Sequence, residues 1–156
     1  MLRELLSYWN PRIATLPGER QAGALPYSMV EGRVVVLLIT SRRSGRWIFP
    51  KGHVEPNMTP WDSAAKEALE EAGVSGQIGT VPIGSYRSGA GSNGSTLVDV
   101  DLYPLRVETQ LDEWKEKDQR LRHWVILPEA RRLLNDPALS RLAERLRNDV
   151  RASLVA

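Results

Sequence analysis

Cysteine is absent from this chain of 156 residues, which excludes disulfide bonds, thiol catalysis and zinc–thiolate centres. Histidine occurs only at positions 53 and 123, too far apart in context to imply a pair of metal ligands. No apolar run approaches the roughly 18 residues that cross a bilayer. The opening MLRELLSYWNPR also lacks the apolar centre of a signal peptide. We therefore expect a cytoplasmic protein without a membrane partner.

The chain has only a small excess of positive charge: it contains 21 Lys and Arg residues and 19 Asp and Glu residues, for a net charge of +2. This excess is too small for a nucleic-acid coat, and the arginines do not form a stripe suited to long RNA. Nucleic acid is therefore not the expected partner, whereas clustered arginines would suit a phosphorylated small molecule. The length fits one domain, as a monomer or a homodimer.

The chain pattern predicts mixed α and β structure. Residues 1–21 form an irregular lead-in and residues 22–156 a single domain. AGALPYSMV and RVVVLLIT predict a hairpin around Glu31-Gly32, and IFPKGHVEPN predicts a loop. QIGTVPIGSYR and STLVDVDLYPLRV predict two further strands, with SGAGSNGS as a flexible tip. A strand over 123–127 and two helices broken at Asp136-Pro137 complete the pattern.

The stretch KEALEEAG carries the main chemical signal. It ends a helix that Thr59 should cap and that Gly73 should terminate. Spacings of three and four place Glu67, Glu70 and Glu71 on one helix face, turned away from a packed alanine face. Like charges there repel each other and also face the negative end of the helix dipole. Either solvent tolerates these carboxylates, or Glu67 and Glu71 grip one divalent cation from the same side.

The residues around this helix resemble the Nudix box, which is a glycine followed at fixed spacing by the pattern Arg-Glu-apolar-x-Glu-Glu-x-Gly-apolar. The matching positions in this chain are Gly52, Glu67, Glu70, Glu71, Gly73 and Val74. The chain departs from the pattern at Met58, where the family has glutamate, and at Lys66, where it has arginine. Glu55 lies nearby in the loop as a substitute carboxylate. The flanking segments are similar to the diphosphoinositol polyphosphate and diadenosine polyphosphate hydrolase branch.

The resemblance implies an α/β fold, an α/β/α sandwich around a mixed β-sheet. It implies Mg²⁺, or alternatively Mn²⁺, and cleavage of a phosphoanhydride bond by attack of water on phosphorus. Glu67 and Glu71 are then predicted metal ligands, with the Lys51 carbonyl as a loop ligand. Glu70 is the predicted base or water-orienting group, although Glu67 and Glu70 could exchange roles. A later carboxylate, from residue 113, 116 or 118, is a further candidate that the sequence does not resolve.

Phosphate recognition is expected from arginine, whose planar fork matches phosphate oxygens. The predicted substrate-binding residues are Arg43, Arg46, Lys51, Arg20 and Arg120. Arg43, Arg20 and Arg120 follow from the resemblance, whereas Arg42 is expected on a solvated hairpin.

Two alternative hypotheses about function remain. Met58 and Lys66 favour a Nudix-like sensor that binds a metabolite without cleaving it. A catalytic Nudix enzyme for nucleotide sugars, damaged nucleotides or RNA 5′ ends is the other alternative.

Overall fold

The computed structural model describes residues 20–90 and 96–155. Its strands are β1 (Gln21–Val30), β2 (Arg33–Thr40), β3 (Trp47–Ile48), β4 (Lys51–His53), β5 (Val74–Ile78), β6 (Gly84–Ala90), β7 (Thr96–Gln110) and β8 (Arg122–Ile126). Its α-helices are α1 (Pro60–Glu67), α2 (Leu127–Leu134) and α3 (Pro137–Val155). A π-helical turn (Ala68–Ala72) continues α1, and a 3₁₀ turn (Lys117–Gln119) precedes β8.

The strands form one mixed sheet with β1 at its centre. The main path runs β3-β2-β1-β7-β5, while β4 pairs with β1, β6 with β7 and β8 with β2. The pair of β1 and β7 is parallel, and the other pairs are antiparallel. The antiparallel pair of β1 and β4 places the glycine loop of the box against the start of β1.

Both faces of the sheet are covered by helices. The larger apolar cluster lies between the sheet and α2 and α3, and includes Phe49, Leu102, Leu139 and Leu146. The smaller cluster packs Ala64, Ala68 and Ala72 against the other face. These three alanines are fully buried, and their small side chains let the helix approach the strands closely. The α/β/α sandwich around a mixed sheet is therefore confirmed.

The predicted hairpin is confirmed, because Glu31 and Gly32 both have positive φ, at 51° and 76°. Two primed-turn residues of this kind match the twist of the flanking strands. The predicted break between two C-terminal helices is also confirmed, with Asn135 in the left-handed region at the end of α2.

Other local predictions differ from the structure. The stretch IFPKGHVEPN is not wholly a loop, because the short strands β3 and β4 pair with β2 and β1. QIGTVPIGSYR is not one strand but contributes to both β5 and β6, which pair with different parts of the long β7.

Most of the predicted lead-in (1–21) and the centre of the predicted flexible tip (91–95) lie outside the described residues. Within the described ranges, no helix has the length and apolar character needed to cross a membrane.

Candidate active site

The helix of the box begins as its sequence predicts. Thr59 accepts a hydrogen bond at its Oγ1 from the Asp62 amide at 3.1 Å, and Pro60 occupies the first helical position. The end of the helix differs from the prediction, because residues 68–72 widen into a π-helical turn. Gly73 then ends the turn with φ 67°, a left-handed conformation that glycine adopts readily.

The three glutamates do not share one solvent-facing surface. Glu71 is buried, with 5% of its surface exposed, whereas Glu67 and Glu70 are partly exposed. The expectation that all three turn away from the packed side of the helix is therefore wrong for Glu71. One wider turn of backbone, over residues 68–72, accompanies this placement, and π-helical turns of this kind are frequent at functional sites.

Glu71 lies between a guanidinium and a backbone amide. Its Oε1 is 3.3 Å from Arg120 Nη2, and its Oε2 accepts a long hydrogen bond of 3.4 Å from the Lys51 amide. Burial nevertheless raises the pKa of Glu71 to about 8, and the nearby Glu67 and Glu116 carboxylates act in the same direction. Arg120 and the Lys51 amide oppose that rise. The pKa of Glu71 therefore stays raised, because burial outweighs the two donors that contact the carboxylate.

Glu67 approaches the glycine loop at Gly52. A Cβ at position 52 would overlap the Glu67 carboxyl group, so only glycine leaves room for the side chain there. Burial raises the pKa of Glu67, and the Glu70 carboxylate adds to the rise, while a side-chain hydrogen bond with Glu71 opposes it. Glu67 and Glu71 are thus in direct contact, as the prediction of a shared cation requires.

Glu70 lies near the side chains of two lysines. Its Oε1 is 3.5 Å from Lys115 Nζ and 3.9 Å from Lys66 Nζ. Lys66 also binds Glu55 at 3.2 Å, so the lysine links the loop to the helix. Glu55 therefore supplies a carboxylate partner for Lys66, while Met58, which replaces the glutamate of the box, lies 36% exposed.

The structure resolves which later carboxylate reaches the site. Glu116 is buried, and its Oε1 accepts a hydrogen bond from Arg120 Nε at 3.1 Å. Its amide donates to the Glu70 carbonyl at 3.1 Å, which places it beside the π-helical turn. Glu113 is instead exposed and pairs with Lys117. Only the folded path of residues 111–122 distinguishes these carboxylates, which explains why the sequence could not.

Lys51 and Arg120, which were predicted to bind substrate, lie beside the helix carboxylates. Lys51 Nζ donates to Gln21 Oε1 at 3.3 Å, and burial lowers the pKa of Lys51, with Arg120 and Arg43 acting in the same direction. The Arg120 guanidinium is almost wholly buried and also donates to the Thr40 carbonyl at 3.0 Å. Contact of Arg120 with substrate stays a prediction, because its guanidinium is bonded to three protein acceptors.

The remaining predicted phosphate-binding residues lie at two places. Arg43 and Arg46 are exposed in the turn between β2 and β3, and Arg43 is close enough to Lys51 to affect its pKa. Arg42, in the same turn, donates to Gln119 Oε1 at 2.9 Å. Arg20 pairs with Asp101 at 2.6 Å and lies 3.7 Å from Asp99, at the start of the β1–β7 pair. The contacts of Arg43 and Arg46 with substrate also stay predictions.

The donor set at the helix suits a hard divalent cation in part. In residues 20–90 and 96–155, no three side chains of His, Asp or Glu converge closely enough to share an ion. Mg²⁺, however, is typically held by one or two carboxylates, with water and substrate phosphates completing its shell. The Glu67–Glu71 contact and the space left by Gly52 fit that requirement.

Comparison with known proteins identifies the family. The model described as NUDIX domain matches residues 19–146. Nudix hydrolase 17, mitochondrial, of Arabidopsis thaliana is 34% identical over 141 residues, covering 83% of this chain and 76% of that protein. Diphosphoinositol polyphosphate phosphohydrolase 3-beta of Bos taurus is 30% identical over 118 residues, covering 74% of this chain and 69% of that protein.

A solved structure shares the fold. The crystal structure of C. elegans Ap4A hydrolase aligns with a TM-score of 0.58 and 22% identity, covering 88% of this chain and 98% of that one. The family match spans the sheet, the glycine loop, the box helix and residues 111–122. The chain therefore belongs to the Nudix hydrolase family and is a hydrolase that acts on phosphoanhydride bonds.

Proposed function

We propose that this chain is a magnesium-dependent pyrophosphohydrolase of a highly phosphorylated small molecule, of the diadenosine polyphosphate or diphosphoinositol polyphosphate type. The observation that carries the proposal is the contact of two carboxylates, Glu67 and Glu71, next to cationic Lys51 and Arg120. Names of two similar proteins support the substrate class: one acts on diphosphoinositol polyphosphate and the other on Ap4A. The expected location is the cytoplasm.

Glu67 and Glu71 are the residues that would hold Mg²⁺, with the Lys51 carbonyl as a further oxygen ligand. Bound there, Mg²⁺ or Mn²⁺ would supply positive charge to the phosphate oxygens and lower the barrier to attack. The raised pKa of Glu71 supports this assignment, because burial penalises the charged carboxylate and a bound cation would offset that penalty.

Glu70 would orient the attacking water and accept its proton. Its carboxylate is partly exposed and lies beside Lys66 and Lys115. The water oxygen forms a new bond to phosphorus, the bridging P–O bond breaks, and the leaving phosphate carries away the electron pair. Glu67 remains an alternative for this role, and Glu116 adds a fourth carboxylate at the same end of the helix.

The substrate phosphates would be bound by the turn between β2 and β3. Arg43 and Arg46 present guanidinium groups at the surface, and Lys51 adds a partly buried ammonium group. Phosphoryl transfer depends mainly on positioning and charge stabilisation, so such cations favour a substrate with several adjacent phosphates. Arg20 would need to leave Asp101, or to bind phosphate with its remaining N–H groups, to take part.

A substrate panel tests the proposal directly. Purified protein should release nucleotide or phosphate from diadenosine tetraphosphate or from a diphosphoinositol polyphosphate with Mg²⁺ present, and then with Mn²⁺. Glu71→Gln should lose about two powers of ten in rate, since it removes a metal ligand. Glu108→Gln, an exposed substitution on β7, is the matched control and should keep full activity. Absence of turnover for both substrates would refute the substrate class, and an active Glu71→Gln would refute the metal assignment.

A further inference from the structure

The end of the box helix is bound by one continuous piece of chain, residues 111–122. Four successive carbonyls accept hydrogen bonds from it. Glu70 accepts from the Glu116 amide at 3.1 Å, and Gly73 accepts from the Leu111 amide at 2.8 Å. The two carbonyls between them accept from side chains: Glu71 from Trp114 Nε1 at 3.1 Å, and Ala72 from Arg122 Nη1 at 3.0 Å.

This arrangement replaces solvent at a helix end. The last carbonyls of a helix have no partner within the helix, and water or a capping group usually satisfies them. Here each donor comes from the chain that follows β7. The cationic guanidinium of Arg122 also opposes the negative end of the helix dipole, close to the carboxylates that the dipole disfavours.

Trp114 and Arg122 form the centre of this contact. The Arg122 guanidinium lies over the Trp114 ring, with its Cζ 3.8 Å from the ring centroid. Its second terminal nitrogen, Nη2, donates to the Leu111 carbonyl at 2.7 Å. Gly73 is required beneath them, because a Cβ there would lie 2.8 Å from both Trp114 and Arg122. The stack therefore fixes one side chain against the other and both against the helix end.

The bound carbonyls belong to the residues that carry the chemistry. Fixing the backbone at Glu70 and Glu71 fixes the direction in which both carboxylates leave the helix. The same piece of chain supplies Glu116 and Arg120, which contact each other and, through Arg120, Glu71. A shift of residues 111–122 would consequently move both the helix carboxylates and their partners.

We propose that Trp114 and Arg122 are positioning residues for Glu71, the metal-binding carboxylate at this end of the helix, acting through the carbonyls of Glu71 and Ala72. The proposal rests on the function proposed above, since it assumes that Glu71 helps to hold the ion. A positioning role differs from a purely structural cap in its effect on metal binding. Loss of either hydrogen bond should weaken the affinity for metal more than it lowers the stability of the fold.

Two conservative substitutions test this proposal. Trp114→Phe keeps an aromatic ring beneath the guanidinium but removes the indole N–H. Arg122→Lys keeps the charge but removes the fork that reaches two carbonyls. Trp124→Phe is the matched control, because its indole N–H also makes a hydrogen bond, to Gln110 Oε1 at 2.6 Å, but not to the helix.

The first measurement is calorimetric titration of each protein with Mn²⁺ alone. Trp114→Phe and Arg122→Lys should bind Mn²⁺ about tenfold more weakly than the parent protein, whereas Trp124→Phe should bind it equally well. In the activity assay, both variants should need about tenfold more Mg²⁺ for half-maximal rate. Their substrate KM at saturating Mg²⁺ should stay within about twofold of the parent value.

The second measurement is amide hydrogen exchange without metal or substrate. The amides of Leu111 and Glu116 should exchange faster in both variants and at the parent rate in Trp124→Phe. Faster exchange with unchanged Mn²⁺ affinity would overturn the positioning role and leave a structural cap. Unchanged exchange would overturn the assumed contact itself. If the parent protein hydrolyses neither substrate, the proposed function fails, while the Mn²⁺ and exchange measurements still decide this proposal.

Discussion

The stability of the metal-free protein should depend on pH through Glu71. Burial raises the pKa of this carboxyl to about 8, against an ordinary value of 4.5. In the unfolded chain the pKa returns to its ordinary value, so unfolding at an intermediate pH releases a proton. The stabilising contribution of the protonated group is therefore complete below pH 4.5 and is lost as the pH rises through 8.

The size of the effect follows from the two pKa values. Each pH unit within that interval corresponds to about 1.4 kcal/mol. Between pH 4.5 and pH 7 the metal-free protein should thus lose about 3 kcal/mol of unfolding free energy through Glu71. Glu71→Gln cannot ionise, so its stability relative to the parent protein should rise by about that amount over the same interval. The comparison holds whatever the substitution costs at pH 4.5.

Urea unfolding in the presence of EDTA measures this difference at several pH values. Glu108→Gln, with an exposed side chain, should follow the parent curve throughout. Saturating Mg²⁺ should remove most of the difference between the parent protein and Glu71→Gln in how the unfolding free energy changes with pH. The reason is that a carboxylate that binds the ion stays charged in the folded state. Parallel curves of unfolding free energy against pH for the parent protein and Glu71→Gln in EDTA would refute the claim that burial raises the pKa of Glu71.

Three further outcomes are expected. Gly52→Ala should raise the Mg²⁺ concentration for half-maximal rate at least about tenfold in a metal titration, because its Cβ would displace the Glu67 carboxyl group. Arg43→Gln should raise substrate KM about tenfold in steady-state kinetics, as loss of about 1.4 kcal/mol of phosphate binding predicts. Arg132→Gln, an exposed substitution on α2, should leave KM unchanged in the same assay. Phe49→Ala should lower the unfolding free energy by about 3–5 kcal/mol in urea, since this ring is fully buried in the larger apolar cluster.

Local sequence rules predicted the fold well where a few neighbouring residues determine the backbone conformation. The Glu31-Gly32 turn, the Thr59 cap and the Gly73 termination each follow from the conformational preferences of a few neighbouring residues. The short strands β3 and β4 could not be predicted in the same way. Their pairing partners, β2 and β1, are distant in the chain or separated by a turn, so tertiary contact decides their conformation.

The same distinction holds for the candidate site. Spacing along the helix predicted that Glu67 and Glu71 lie together, because residues four apart share a helix face. It could not predict the π-helical turn or the burial of Glu71, since both depend on residues 111–122 packing against the helix end. Glu116 was one of three equivalent carboxylates in the sequence, and its burial and its bonds to Arg120 and to the Glu70 carbonyl distinguish it only in the fold.

The two departures from the box are related to each other in the structure. In the family pattern a glutamate stands at position 58 and an arginine at position 66. Here the loop carboxylate is Glu55, whose amide is fixed by Ser63 Oγ at 3.0 Å, and Lys66 contacts both Glu55 and Glu70. The compact ammonium group of Lys66 thus lies between two carboxylates, without the planar fork that an arginine would offer to either one. The substitutions therefore leave a cation beside Glu70 and a link from loop to helix, so they do not by themselves remove the charges that hydrolysis requires.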